Sequence, residues 1–119
     1  MAYITDQTFV IPIEIVRRHA EWSEKNFGTP QEKSAVGPLK HLSKEALEAA
    51  TAPVGPERLE EYADCMFLLL DALRRDGYSG ADLTAAMERK MPILEARTYK
   101  RTAEGEPAEH DRSIPDKVD

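Results

Sequence analysis

Apolar residues recur three and four positions apart through most of the chain, the spacing of helices covered on one side. Ile13, Val16, His19/Ala20 and Trp22/Ser23 mark the first stripe and predict a helix over residues 12–27. Pro12 suits a first turn, where its missing N–H has no intrahelical partner. Gly28 supplies a left-handed residue to end the helix. After a loop of mixed charge over 29–37, Leu39, Leu42, Ala46/Leu47 and Ala49/Ala50 predict a second helix over 38–51. Two prolines and a glycine within residues 52–56 break it.

The third helix, over 57–76, has Glu57, Glu60 and Glu61 near its start and Arg74 and Arg75 near its end, as the helix dipole favours. Gly77 is the expected residue beyond its C-terminus. Its middle, residues 65–70, is apolar almost all round, which calls for cover on more than one side. In so short a chain part of that cover is expected from a second subunit. Ser79, with Asp82 three positions on, predicts an acidic capping box opening a fourth helix through Leu83, Met87, Lys90/Met91, Leu94 and Arg97. Pro92 should kink it or free a carbonyl. The expectation is an all-α fold: a catalytic helical domain over residues 1–101 and an acidic, flexible tail over 102–119.

Composition narrows the options. The formal net charge is −6, of which the last 18 residues carry −4. No basic stripe suggests a DNA or RNA polymer as partner. A small anionic ligand remains compatible if metal ions neutralise it. The single cysteine, Cys65, forbids an internal disulfide and fits a reducing compartment. The start lacks a signal-peptide pattern, and no apolar run approaches a membrane span. A cytoplasmic protein with no membrane partner is expected.

The candidate chemistry lies in two carboxylate pairs. Glu45 and Glu48 are three apart on the second helix, and Glu61 and Asp64 repeat that spacing on the third. Leu68 and Asp71 extend the second pair's stripe. Helices joined by a short loop pack side by side, so the two pairs can converge. Converging carboxylates repel one another, and a hard divalent cation with oxygen ligands relieves that repulsion. Carboxylates without His or Cys favour Mg²⁺ or Mn²⁺, and such sites commonly engage substrate phosphates. By spacing alone, two solvated acidic helix faces fit equally well.

The run Glu45-x-x-Glu48, twelve residues, Glu61-x-x-Asp64 resembles the signature of the MazG-like all-α nucleotide pyrophosphohydrolases. Residues 21–28, 37–45 (including Gly37-Pro38-Leu39-Lys40-His41-Leu42), Tyr62-Ala63-Asp64-Cys65, Lys90-Met91 and Ala96-Arg97-Thr98-Tyr99 look like the dATP/dGTP pyrophosphohydrolase branch with its phage MazZ-like members. The likeness covers about residues 13–101. It implies a bundle of four to five helices completed by oligomerisation, as a dimer or a dimer of dimers. It also implies conversion of dGTP and/or dATP to the monophosphate and pyrophosphate, in the bacterial or phage-infected cytoplasm. In phages with 2-aminoadenine DNA the product dGMP would feed that base's synthesis. The chain departs from relatives that carry Asn where it has Leu94 and Trp where it has Tyr99.

On this resemblance Glu45, Glu48, Glu61 and Asp64 would bind two to three Mg²⁺ or Mn²⁺ ions, with Glu48, alongside Glu45, orienting the attacking water. Lys90 and Arg97, seven apart, share a helix face and would either bind phosphates or lie solvated over apolar stems. Tyr99 would cover the nucleotide or pack. Trp22, Lys25 and Phe27 become candidates for the nucleoside pocket, with Lys40 and His41 beside them. His19, His110 and Cys65 carry no functional case. The rival readings are a relative acting on dUTP or a damaged nucleotide, and a non-enzymatic helical dimerisation module.

Overall fold

A computed structural model describes residues 11–118. The expectation about the start of the chain lies outside the described residues. Four helices follow in order: α1 (Ile13–Phe27), α2 (Val36–Thr51), α3 (Pro56–Arg75) and α4 (Gly80–Ala96). Two short strands come after them, β1 (Tyr99–Lys100) and β2 (Glu109–His110). The chain divides into two compact units, Met1–Tyr78 and Ser79–Asp119.

In the first unit the helix ends follow local chemistry. Pro12 stands just outside α1, and its carbonyl accepts from the N–H groups of Ile15 and Val16. Gly28, at φ 107°, ends α1, and its N–H donates to Glu24 O at 3.0 Å. A Cβ there would also lie 3.3 Å from Glu32 Cβ and Lys33 Cγ, so the tight turn that follows favours glycine twice over. Inside that turn the Glu32 carboxylate accepts from the N–H and hydroxyl of Thr29.

α2 begins at Val36, two residues before the expected start at Pro38. The physical reason is that a proline in a first turn forfeits a donor the helix does not use. Pro38 is therefore inside the helix rather than its first residue. Beyond α2, the Arg58 guanidinium closes the 52–55 connection by donating twice to Ala52 O, at 3.0 and 2.6 Å. α3 opens on Pro56 and ends in a Schellman arrangement. Tyr78 N–H donates to Leu73 O, and Gly77, at φ 87°, donates to Arg74 O.

α2 packs along α3, and α1 rests on α3 more sparsely. Among the described residues the buried apolar ones are small: Ala35, Ala49 and Ala72. Larger apolar side chains stay in water, including Leu59, Tyr62, Met66 and Leu69 on α3. The apolar middle of α3 is thus covered by α2 and, more sparsely, by α1, and part of it stays exposed.

In the second unit the capping box forms as expected. Ser79 Oγ accepts from Asp82 N–H at 3.1 Å, and Asp82 Oδ2 accepts from Ser79 N–H at 2.8 Å. α4 runs through Pro92. Sequence periodicity predicts no strands, yet β1 and β2 pair antiparallel, Tyr99 opposite His110 and Lys100 opposite Glu109. Within residues 102–118, expected as a flexible tail, Asp111 N–H donates to Thr98 O and Lys117 N–H to Ala96 O. Among the described residues no helix is long and apolar enough to cross a membrane.

Candidate active site

The α2–α3 hairpin folds the two carboxylate pairs onto each other. Residues at matching distances from the loop become neighbours, so Glu45 faces the turn of α3 that carries Glu61 and Asp64. Oxygens of Glu45, Glu61 and Asp64 all lie within 4.8 Å of one another. Glu48 is one turn nearer the loop and outside that trio. His41, one turn earlier on α2, places Nε2 3.0 Å from Glu45 Oε1.

The electrostatics are those of a site with too much negative charge. A hydrogen bond shared with Glu45 pushes the Glu61 carboxyl above its usual range, helped by burial and by the charges of Glu45, Glu48 and Asp64. Burial opposes ionisation of Glu45, but hydrogen bonds with Glu48, His41 and Glu61 outweigh it and hold that carboxyl low. Glu61 Oε2 is shut off from solvent without a hydrogen-bond partner. An orphaned carboxylate oxygen beside the carboxylates of Glu45 and Asp64 fits a hard divalent cation of the Mg²⁺ or Mn²⁺ type.

Glu45 and Asp64 also line a groove of about 960 Å³ together with His41, Trp22, Phe27, His19 and Phe67. That is the upper range for a small-molecule site. Its aromatic wall is ordered: His19 stacks on Phe67 at 4.4 Å and 7°, and Phe27 meets Trp22 edge-on at 5.3 Å. Burial lowers the His19 imidazole's affinity for a proton; Asp71 opposes that effect and Arg74 adds to it. Beneath the wall lies a buried polar hub. Asp71 Oδ2 accepts from Ser23 Oγ at 3.0 Å and from Arg75 Nε at 3.1 Å. Burial disfavours the Asp71 carboxylate, but bonds from Arg75, Ser23 and Arg74 prevail and hold it below its usual range.

Comparison with known proteins agrees with this geometry. A family model described as dATP/dGTP pyrophosphohydrolase matches residues 15–117. The chain belongs to the dATP/dGTP pyrophosphohydrolase family. This membership accords with the MazG-like resemblance. The Eaa protein of Salmonella phage P22 is 49% identical over 104 residues, covering 87% of this chain and 31% of that protein. The chain thus spans about a third of the length of that relative. No solved structure matches.

In this pyrophosphohydrolase family member the other expected residues are distributed unevenly. Trp22, Phe27 and His41 line the groove, whereas Lys25 and Lys40 do not. Lys90, Arg97 and Tyr99 belong to the second unit, where the Tyr99 ring faces His110 at 5.7 Å. The periodic reading missed Ser23, Asn26, Phe67 and Arg75 as groove residues and assigned His19 no role. One signal was available for α1: residues 19, 22, 23 and 26 share a helix face.

Proposed function

We propose that the chain hydrolyses a purine deoxynucleoside triphosphate, dGTP and/or dATP, to the monophosphate and pyrophosphate. One observation carries this reading: Glu45 and Asp64, two of the three converging carboxylates, line the same groove as the aromatic wall. A nucleotide has the matching polarity, with a flat apolar base at one end and a polyanion at the other.

Glu45, Glu61 and Asp64, with Glu48 beside them, are the residues that would hold two to three Mg²⁺ or Mn²⁺ ions. When bound, such ions supply positive charge against the triphosphate and Lewis acidity at the α-phosphorus. Glu48 is exposed and adjacent to the trio, so it orients the attacking water and takes its proton. The water oxygen bonds to the α-phosphorus, the bond from that phosphorus to the α–β bridging oxygen breaks, and pyrophosphate leaves with the electron pair. Trp22 and Phe27 hold the nucleoside, with His41 near it; Lys25 and Lys40, which do not line the groove, would reach it only from outside its walls. Lys90, Arg97 and Tyr99 are proposed for the phosphates and the nucleotide cover.

A homo-oligomer, dimeric or a dimer of dimers, is part of the proposal. Leu59, Tyr62, Met66 and Leu69 are exposed at spacings of three and four along α3, the pattern of a helix–helix seam. Each stands two positions from a residue of the carboxylate stripe, a rotation of roughly 200°. α3 can therefore present acids to the groove and apolar side chains to a second copy. For a phage source with 2-aminoadenine DNA, the dGMP produced would supply that base's synthesis. Ordinary adenine in the source DNA would remove this part of the proposal.

The test is pyrophosphate release from dGTP, dATP and dUTP with Mg²⁺ or Mn²⁺. Release from a purine nucleotide and not from dUTP is expected. Selective release from dUTP would reassign the substrate, and no release from any nucleotide would favour a non-enzymatic helical module.

A further inference from the structure

Three rings of the groove's aromatic wall stand on a different helix from the carboxylates. α1 carries His19, Trp22 and Phe27, whereas α2 and α3 carry the acids. Among the described residues α1 rests on α3 and not on α2. What fixes those α1 rings relative to the acids is therefore the α1–α3 junction, which combines the His19–Phe67 stack with a buried polar hub. Arg75 sits at its centre, with a side chain only 1% exposed. Its Nε donates to Asp71 Oδ2, and one terminal nitrogen donates to Ser23 Oγ at 3.1 Å. The other donates to the carbonyls of Thr29 at 3.3 Å and Lys33 at 3.1 Å.

One guanidinium thus ties α1, α3 and the connection to α2 together. Ser23 is fully buried, next in sequence to Trp22 and one turn before Phe27. The donors of the hub are turned on one another and on backbone carbonyls, which leaves them unsuited to reading a ligand directly. We propose that Ser23, Asp71 and Arg75 are positioning residues that set the aromatic wall of α1 against α3, and so govern how tightly the nucleoside is held without entering the cleavage step. This rests on the nucleotide reading above. It separates the groove into a part that sets affinity and a part that sets turnover.

The test uses Ser23→Ala and Arg75→Lys in the full chain. Lysine keeps a cation beside Asp71 but lacks the planar fork that joins the other partners. Both variants are checked for retained helical circular dichroism, and Trp22, the only tryptophan, is followed by acrylamide quenching. The expected result is KM for the cleaved nucleotide raised about tenfold with kcat within about twofold, the signature of lost uniform binding. Quenching of Trp22 without nucleotide should increase in both variants. A fall in kcat at unchanged KM would overturn the proposal, as would wild-type kinetics with unchanged quenching. If the wild type releases no pyrophosphate, the nucleotide reading fails separately. Trp22 quenching then still decides whether the hub sets the wall: increased supports it, unchanged rejects it.

Discussion

Two carboxylate neighbourhoods lie along one stripe of α3, and they have opposite fates. Glu61 and Asp64 face another acid, Glu45, across the hairpin. Two turns on, Asp71 faces Arg75 at 3.1 Å and Arg74 at 2.7 Å and accepts from Ser23. The first neighbourhood pushes a carboxyl up and the second pulls one down. The same residue class at the same helical spacing is a store of repulsion in one place and a bolt in the other. Charge left uncompensated inside a fold waits for a partner from outside; charge compensated by the chain holds the chain together.

The sharpest way to break this contrast is to neutralise one acid at each end. Glu61→Gln should lower pyrophosphate release by about 10²-fold or more, the scale of losing one element of transition-state charge stabilisation. Its metal-free melting temperature should rise, because an acid crowded by like charges is removed. Asp71→Ala should do the reverse to stability. It leaves Arg75 buried without its counter-ion, at a cost of about 3 kcal/mol measured by urea unfolding.

Acid separates the two ends further. Asp71 has a depressed folded value, so its contribution is complete above the ordinary aspartate range and disappears as pH falls through the folded value. Unfolding free energy measured from pH 5 downward should fall in the wild type. In Asp71→Asn that part of the acid dependence should be missing. The smallest effect is expected at the rim of the same hub, where Glu24 meets Arg74 at 3.5 Å and both side chains are partly in water. Glu24→Gln should cost less than about 1 kcal/mol. A loss as large as that of Asp71→Ala would mean that burial does not distinguish the two pairs.

What could be read from the sequence was local. Ser79 with Asp82, Gly77 and Gly28 announce helix ends because each acts on backbone within a few residues of itself. The carboxylate pairs were legible because helical spacing puts i and i+3 on one face. Asp71 was placed on the right stripe, but its partner Ser23 lies 48 residues away, and no periodicity predicts which groups a fold brings together over that distance. The true start of α2 was hidden by Pro38, whose place within a first turn is not marked by its identity. The strands escaped notice because two-residue pairings among polar side chains carry no alternation to detect.

Glu45, Glu61 and Asp64 are proposed above as a divalent-cation site. Mn²⁺ binding to the wild type and to Glu61→Gln, followed by the electron paramagnetic resonance of free Mn²⁺, tests it most directly. Saturable binding by the wild type is expected, with an affinity at least about tenfold weaker in the variant, since even changes outside a metal's ligand set reach that size. Equal binding by both proteins, or none by either with or without nucleotide, would contradict it.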